Sequence, residues 1–208
     1  MNKLDGALKD IQDFLKSEDI PYMIIGGIGN LMWGEPRMTI DIDVTIHISD
    51  IDENDFIKKV GSRFKILIEK PLDFVKKTRV LPIEITEGVK GDIIFAGLDY
   101  EKKAIEQSVE VEISKNNIVR VCTAEDLIIH KAISEREKDW QDIEGILLRR
   151  GDLLDKKYIL SWLSQFASAL DKPGIKKRFE GLWKDIVKVE SSKNKNMHYW
   201  KEDDERGT

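Results

Sequence analysis

The stretch from Thr39 to Ile48 constrains the fold more than any other part of the chain, because its apolar and polar residues alternate strictly. Alternate residues of a β-strand lie on the same face, so one face carries four isoleucines and Val44. A face of β-branched residues is expected to be buried, whereas the opposite face carries Asp41 and Asp43. The sequence therefore predicts a strand over 40–48 with two carboxylates on its polar face.

These two aspartates are spaced to share a cation. Their Cα atoms lie about 6.6 Å apart along a strand, so the side chains can converge on one ion. Without a cation the two charges repel, and a divalent metal removes that penalty. An Asp-x-Asp pair is weak evidence by itself, since a chain with 21 Asp in 208 residues has about two by chance, and this one has two, at 41/43 and 50/52. A bare pair of this kind is more often a solvated strand edge.

A pair of glycines precedes the strand. Residues 22–25 form a short apolar run that predicts a buried strand, Gly26 and Gly27 predict a tight turn, and 28–33 predict a short helix. Glycine allows the backbone to approach a ligand closely, and a helix N-terminus offers N–H donors to a phosphate. A Gly-Gly turn alone is usually only a turn. A phosphate cradle followed, 14 residues after Gly27, by paired carboxylates indicates a nucleotide site.

Composition excludes several classes of protein. Hydrophobic residues make up 41% and charged residues 35% of the chain, which is typical of a soluble globular protein. No run of 18 apolar residues occurs, so no membrane span is expected. With one cysteine, Cys122, and no export signal, we expect a cytoplasmic protein. A net charge of −5 argues against a nucleic-acid footprint over the whole chain.

The remaining patterns divide the chain into an α/β half over 1–122, a helical region over 123–190 that we expect to pack on it, and a polar tail over 191–208. The further predicted helices are 4–17, 52–60, 71–78, 99–107, 124–137, 139–149, 156–170 and 173–188, and the further predicted strands are 64–69, 80–85, 91–95, 109–113 and 117–122.

Gly26-Gly27 followed by the segment from Arg37 to Asp43 resembles the nucleotidyltransferase superfamily, which has the polymerase-beta-like fold. In that family a hydrophobic strand leads to Gly-Gly or Gly-Ser, an Asp-x-Asp pair binds Mg²⁺ and NTP, and a third carboxylate lies on a later strand. Asp92, inside the apolar run after Gly91, fits the third position. Without the resemblance, Asp92 could equally be a turn residue that follows Gly91.

The helical half extends the resemblance. Residues 124–132 and 136–143 are similar to the second half of bacterial AbiEii-type nucleotidyltransferases, so the likeness covers about residues 20–150. It implies an α+β fold, with a nucleotidyltransferase-like mixed β-sheet flanked by helices and followed by a C-terminal helical bundle. The family includes toxins of toxin–antitoxin and abortive-infection systems, so a cognate antitoxin or toxin is an implied partner.

The resemblance also implies an activity: transfer of a nucleoside monophosphate from an NTP to an acceptor hydroxyl on tRNA, protein or a small molecule, with two Mg²⁺ ions. It assigns metal binding and catalysis to three carboxylates, of which Asp92 could also take the acceptor proton. Arg37 could contact a phosphate, although a surface arginine is the commoner explanation. The implied site consists of Asp41, Asp43, Asp92 and Lys131 as catalytic residues and Gly26, Gly27, Arg37, Thr39 and Asp139 as nucleotide-binding residues.

Lys131 is unusual because it follows Leu127 by four positions and therefore lies on the apolar face of its helix. Either its stem is buried while its ammonium reaches water, or it contacts the NTP phosphates. Asp139 lies about 12 Å further along a continuous helix, so a direct pair requires a break between them. We expect removal of a strained buried charge at Lys131 to hold or raise stability.

Two alternatives stay open at this stage. The fold could serve as a non-catalytic nucleotide-binding or partner-binding module, such as an antitoxin. Gly27 stands where many members of the family have Ser, which slightly favours this alternative, whereas the intact carboxylates argue against it. The chain could also be a hydrolase or an unrelated α/β protein with a chance Asp-x-Asp pair.

Overall fold

A computed structural model describes residues 3–36, 41–49, 51–114 and 117–187. The chain divides into two compact units. The first takes in the described residues up to Met32 and from Pro36 to Thr123, and the second takes in Trp33–Glu35 and the described residues from Ala124 onward. The predicted polar tail, 191–208, lies outside the described residues.

The first unit is built on a seven-stranded mixed sheet, as far as the described residues extend. Strands β2 and β5 pair in parallel, as do β1 and β7, and the other neighbours are antiparallel. The predicted α+β class is therefore confirmed. In the order β3-β4-β5-β2-β1-β7-β6, the strands are β1 (Tyr22–Ile24), β2 (Ile42–Ile46), β3 (Lys65–Ile66), β4 (Val80–Thr86), β5 (Val89–Phe95), β6 (Val109–Ser114) and β7 (Asn117–Val121).

Strand β2 lies in the middle of this sheet and forms its core as the alternation predicts. Ile42, Val44 and Ile46 are at most 1% exposed, and burial of each stabilises the fold by roughly 1.5–3 kcal/mol. The strand begins at Ile42, whereas the sequence predicts a start at residue 40, which lies outside the described residues. Asp41 therefore immediately precedes the strand, and Asp43 lies inside it.

Helices of the first unit cover the sheet. In the first of them, four residues at helical spacing (Ala7, Leu8, Ile11 and Leu15) are completely buried. The side chain of Asp52 caps a later helix by accepting hydrogen bonds from the backbone N–H groups of Asn54 and Asp55. The helices are α1 (Lys3–Ser17), α2 (Gly26–Trp33), α3 (Glu53–Arg63), α4 (Pro71–Thr78) and α5 (Asp99–Glu106).

The second unit is helical throughout its described length from Ala124, apart from short connections. Helix α6 (Ala124–Ser134) ends before Glu135, which adopts a left-handed φ of 54°, and α7 (Glu137–Arg150) then starts in a new direction. A 3₁₀ turn leads into α8 (Lys156–Ala169), and residues 174–187 form α9. None of the described helices is long and apolar enough to cross a bilayer. The core of the unit contains Leu127, Ile128, Ile143, Ile146, Ile159, Leu163 and Phe179, all at most 1% exposed.

Candidate active site

Two predicted carboxylates are neighbours across the sheet. Strands β2 and β5 pair in parallel over five residues, and in this register Asp43 stands directly opposite Asp92. Register partners on adjacent strands point to the same face, and the strands are about 4.8 Å apart. Both aspartates are half-buried. Asp92 lies inside β5, so the alternative that it is a turn residue after Gly91 is wrong.

Asp41 is electrostatically linked to this pair. Burial raises the pKa of the Asp92 carboxyl above its ordinary value, and the negative charge of Asp41 raises it further. Asp41 itself is exposed at the start of β2. The structure thus brings all three predicted carboxylates to one part of the first unit.

Gly26 packs against the Asp43 carboxylate. A Cβ atom at Gly26 would lie 1.8 Å from Oδ2 of Asp43, and Gly26 has a φ of +60°, which favours glycine. The backbone is fixed in the same place, because the N–H of Ile25 donates to the Asp43 carbonyl at 2.9 Å. Only a residue without a side chain fits here.

The prediction of a Gly26-Gly27 turn is partly wrong. Helix α2 already begins at Gly26, so both glycines belong to its first turn. The first N–H groups of a helix have no partner inside the helix and are suited to an anion. The two glycines therefore allow a close approach of the backbone to a ligand and also form the helix N-terminus. The sequence assigns these two features to a turn at Gly26-Gly27 and a separate helix over 28–33.

Two further residues shape the site. A Cβ at Gly91 would lie 2.6 Å from the carbonyl oxygen of Ile42, so glycine permits the close approach of β5 to β2. A glycine inside an apolar strand is the signal that could have identified this role. Thr45, two positions after Asp43, is completely buried, and its Oγ1 has no hydrogen-bond partner in the described part of the chain. Two other predicted residues, Arg37 and Thr39, lie outside the described residues.

The donor chemistry of the site fits a hard divalent cation, since its polar side chains are carboxylates and a hydroxyl. The absence of a Cβ at Gly26 also leaves the Asp43 carboxylate next to bare backbone. Among the described residues, no group of three or more His, Cys, Asp or Glu side chains forms a ready metal-ligand cluster. The three aspartates are thus gathered in one region without forming a closed cage.

In the second unit, Lys131 forms a buried ionic cluster. Its side chain is 5% exposed, and its Nζ lies 3.3 Å from Oδ1 of Asp139 and 2.5 Å from Oδ2 of Asp142. The break at Glu135 between α6 and α7 makes these contacts possible. The lysine neither snorkels nor carries an unpaired buried charge, so the premise that its removal would relieve a strained charge does not hold.

Asp139 is also held by two other groups. Its Oδ2 accepts hydrogen bonds from Oγ of Ser134 and from Nε of Arg136, each at 2.6 Å. Burial alone would raise the pKa of Asp139, but these hydrogen bonds and the charge of Lys131 outweigh it and lower the pKa below its ordinary value. The Asp139 carboxylate is therefore ionised at neutral pH.

Comparison with known families identifies the chain. Residues 15–147 match the family model described as "Nucleotidyl transferase AbiEii toxin, Type IV TA system". The match spans more than half of the chain, so the chain belongs to the AbiEii nucleotidyltransferase family, and the resemblance predicted from the sequence is confirmed. The protein is a nucleotidyltransferase by family. No curated protein sequence gives a significant match.

Several solved structures are similar to the chain at low sequence identity. An antigenic nucleotidyltransferase-like protein from Paracoccidioides brasiliensis is 15% identical, with a TM-score of 0.49 and coverage of 85% of this chain and 92% of that one. The antibiotic-resistance factor ANT(2")-Ia, solved in complex with adenylyl-2"-tobramycin, is 17% identical, with a TM-score of 0.49 and coverage of 81% of this chain and 99% of that one. The lincosamide antibiotic adenylyltransferase LnuA is 17% identical, with a TM-score of 0.45 and coverage of 68% and 94%.

Proposed function

We propose that the protein transfers a nucleoside monophosphate from an NTP to an acceptor hydroxyl in a Mg²⁺-dependent reaction at Asp41, Asp43 and Asp92. The acceptor oxygen attacks the α-phosphorus and forms a new P–O bond. The bond from the α-phosphorus to the bridging oxygen breaks, and pyrophosphate leaves with the electron pair. The hydroxyl proton passes to a carboxylate of the site.

The observation that carries this proposal is the register of β2 and β5, which puts Asp43 opposite Asp92 on one face. Two like charges on one face repel, and the raised pKa of Asp92 reflects both its burial and the charge of Asp41. Such an arrangement is unfavourable without a counter-charge and is typical of a functional site. Bound Mg²⁺, two ions held by the three aspartates, would neutralise charge on the phosphate oxygens.

We assign triphosphate binding to the start of helix α2. The N–H groups of Gly26 and Gly27 lie in its first turn, and Gly26 packs directly on Asp43, so phosphate donors and carboxylates are adjacent. This arrangement suits phosphoryl-group chemistry, in which positioning and charge neutralisation supply most of the catalysis. Arg37 and Thr39 are proposed as further nucleotide contacts from the sequence.

Asp92 is proposed as the acceptor of the hydroxyl proton. A carboxylate with a raised pKa is a better base than an ordinary aspartate, because it binds the proton more tightly. Lys131 and Asp139 are kept as proposed catalytic and nucleotide-binding residues on the strength of family membership alone. Within their own unit they form the buried cluster described above.

The biological context that we propose follows the family description. A toxin of a toxin–antitoxin system acts on an essential cellular molecule, so we expect the acceptor to be a tRNA or a protein, with a small molecule as a further possibility, and a cognate antitoxin as the partner. The alternative is a non-catalytic nucleotide-binding or partner-binding module. Gly27 in place of Ser favours it slightly, since it removes one hydroxyl from the phosphate site.

The deciding experiment incubates the protein with each α-phosphate-labelled NTP, Mg²⁺, and total tRNA, cell protein or an aminoglycoside in separate reactions. Transfer of label to one acceptor, with release of pyrophosphate, supports the proposal. Asp43→Asn should abolish the transfer, whereas Asp99→Asn, which changes a fully exposed carboxylate of the same unit, should not. Binding of Mg-NTP without transfer to any acceptor would favour the non-catalytic module, and absence of binding would contradict both.

A further inference from the structure

The first unit contains a cavity at the end of β1 opposite to Gly26. Its volume is about 380 Å³, within the range of small-molecule sites. The buried side chains of Ile20, Tyr22 and Ile105 contribute to its lining, each at most 5% exposed. Tyr22 is the first residue of β1, and four residues of extended chain separate it from Gly26 by about 13 Å. The cavity is therefore a different place from the candidate active site.

Charged side chains of both signs line the same cavity. Lys16 and Arg120 are basic, and Asp19, Glu106 and Glu110 are acidic. Within the described part of the chain, none of these five charges forms an ion pair, although Glu110 and Arg120 are register partners on β6 and β7. Other charges of the unit do pair: Lys58 with Asp55 at 2.8 Å, for example. Four of the five side chains are exposed, and Arg120 is half-buried. The cavity thus brings charges of both signs together without an ion pair among them in the described part of the chain.

Arg120 is held in a fixed orientation there. Its Nε donates to Oγ of Ser108 at 2.6 Å, and Ser108, 8% exposed, donates in turn to the carbonyl of Ile105 at 2.5 Å. This contact uses one of the five N–H donors of the guanidinium. The two terminal NH₂ groups are the part of an arginine that binds a carboxylate or phosphate in a bidentate manner.

The polar side chain among the buried lining residues, Tyr22, is uncharged. The hydroxyl of Tyr22 donates to Oε1 of Gln12 at 2.9 Å, and Gln12 is 3% exposed. Burial, the largest cause, raises the pKa of the Tyr22 phenol to about 12, so it stays uncharged at neutral pH. Selection among ligands therefore depends on the charged side chains.

We propose that this cavity binds a small zwitterion, with a carboxylate or phosphate on Arg120 and an ammonium group on the carboxylates of Glu106 and Glu110. A ligand of one sign alone would meet like charges on part of the lining, whereas a zwitterion compensates both sets. The apolar residues accommodate the short carbon chain that joins the two groups. This site is independent of the proposed nucleotidyl transfer.

Calorimetric titration of the whole protein, without nucleotide, tests the proposal with two zwitterions, γ-aminobutyrate and phosphoethanolamine. The first carries a carboxylate and the second a phosphate, so the pair distinguishes the two oxyanions. Butyrate, inorganic phosphate and butylamine are the single-charge controls. We expect at least one zwitterion to bind at least about tenfold more tightly than every control.

Variants locate the binding. Arg120→Gln and Glu106→Gln should each weaken zwitterion binding by about tenfold or more, whereas Arg63→Gln, which changes an exposed arginine paired with Asp10, should not. If Arg120→Gln does not fold, Glu106→Gln at the exposed end of α5 decides. Equal binding of the single-charge controls, binding unchanged in the folded variants, or no binding of either zwitterion at about 10 mM would overturn the proposal. Because no NTP is present, these results do not depend on whether the protein transfers nucleotides.

Discussion

Asp43 and Asp92 are register partners on two parallel strands, β2 and β5, at the centre of the sheet. Ile42, Val44 and Ile46 bury one face of β2, so the opposite face must carry the aspartate toward its partner. A slip of one residue would move the carboxylates into the core. The hydrophobic pattern that stabilises the sheet therefore also fixes the geometry of the candidate site.

Asp92→Asn should stabilise the metal-free protein at neutral pH while weakening Mg-NTP binding. Burial and the charge of Asp41 raise the pKa of Asp92, so its ionised form is less favourable in the folded than in the unfolded chain. The stabilisation should be fully present at neutral pH and should disappear as the pH falls toward the ordinary pKa of aspartate. Urea unfolding in the presence of a chelator measures it across this range.

The same variant tests the role of the carboxylate. Calorimetry with Mg-NTP should show a loss of affinity, and turnover should fall by about a hundredfold or more if the residue stabilises the transition state. Asp99→Asn is the matched control. Unchanged Mg-NTP affinity and turnover in a folded Asp92→Asn protein would remove this residue from the site.

Gly26→Ala should destabilise the protein more than Gly88→Ala. Both glycines have positive φ, +60° and +79°, so alanine is strained at either position by roughly 1–2 kcal/mol. At Gly88 nothing lies within 4 Å of the added Cβ, whereas at Gly26 it meets the Asp43 carboxylate at 1.8 Å. The difference between the two losses in free energy of unfolding measures the cost of the contact with Asp43. Equal losses of stability, with Mg-NTP affinity unchanged, would mean that glycine is needed at position 26 only for its backbone conformation.

The sequence predicts β2 well because its core residues alternate without interruption, but it does not predict the partner strand. Asp43 and Asp92 meet because β5 pairs beside β2 in parallel, and that order depends on the packing of the whole sheet. The predicted strand over 64–69, by contrast, is longer than the strand that forms. The strand spans only Lys65–Ile66, at a sheet edge. The N–H of Leu67 still donates to the Pro82 carbonyl at 3.0 Å, but the residue is 36% exposed. An apolar run alone does not show how much of a strand finds a neighbour.

The contact between Lys131 and Asp139 could be predicted from the sequence only in part. The sequence shows that a direct pair needs a break in the helix, and the break lies at Glu135. Glutamate is a good helix former, so no local signal marks this position. The two acidic partners, Asp139 and Asp142, become recognisable only when α6 and α7 are seen packed together.

Lys131→Met should lower the free energy of unfolding by about 3 kcal/mol, because it leaves two buried carboxylates without their shared cation. Lys138→Met, an exposed position on α7, should change it by less than about 0.5 kcal/mol. Urea unfolding of both variants gives the comparison. A folded Lys131→Met protein of unchanged stability would show that the two carboxylates do not need Lys131. Specific activity measured in parallel separates a catalytic role from a structural one.

Asp139→Asn should produce a loss of stability that depends on pH. The pKa of Asp139 is lowered in the folded protein, since the hydrogen bonds from Ser134 and Arg136 and the charge of Lys131 outweigh the effect of burial. A lowered pKa adds stability above the pKa of the unfolded chain, and this stability is lost as the pH falls through the folded value. The difference in free energy of unfolding between wild type and variant should therefore be largest near neutral pH and should narrow below the ordinary pKa of aspartate.

Asp185→Asn, which changes an exposed carboxylate on α9, is the control and should change stability by less than about 0.5 kcal/mol at neutral pH. Urea unfolding at a series of pH values checks both, and a difference for Asp139→Asn that stays constant or widens on acidification would show that the ionised carboxylate does not hold this cluster together.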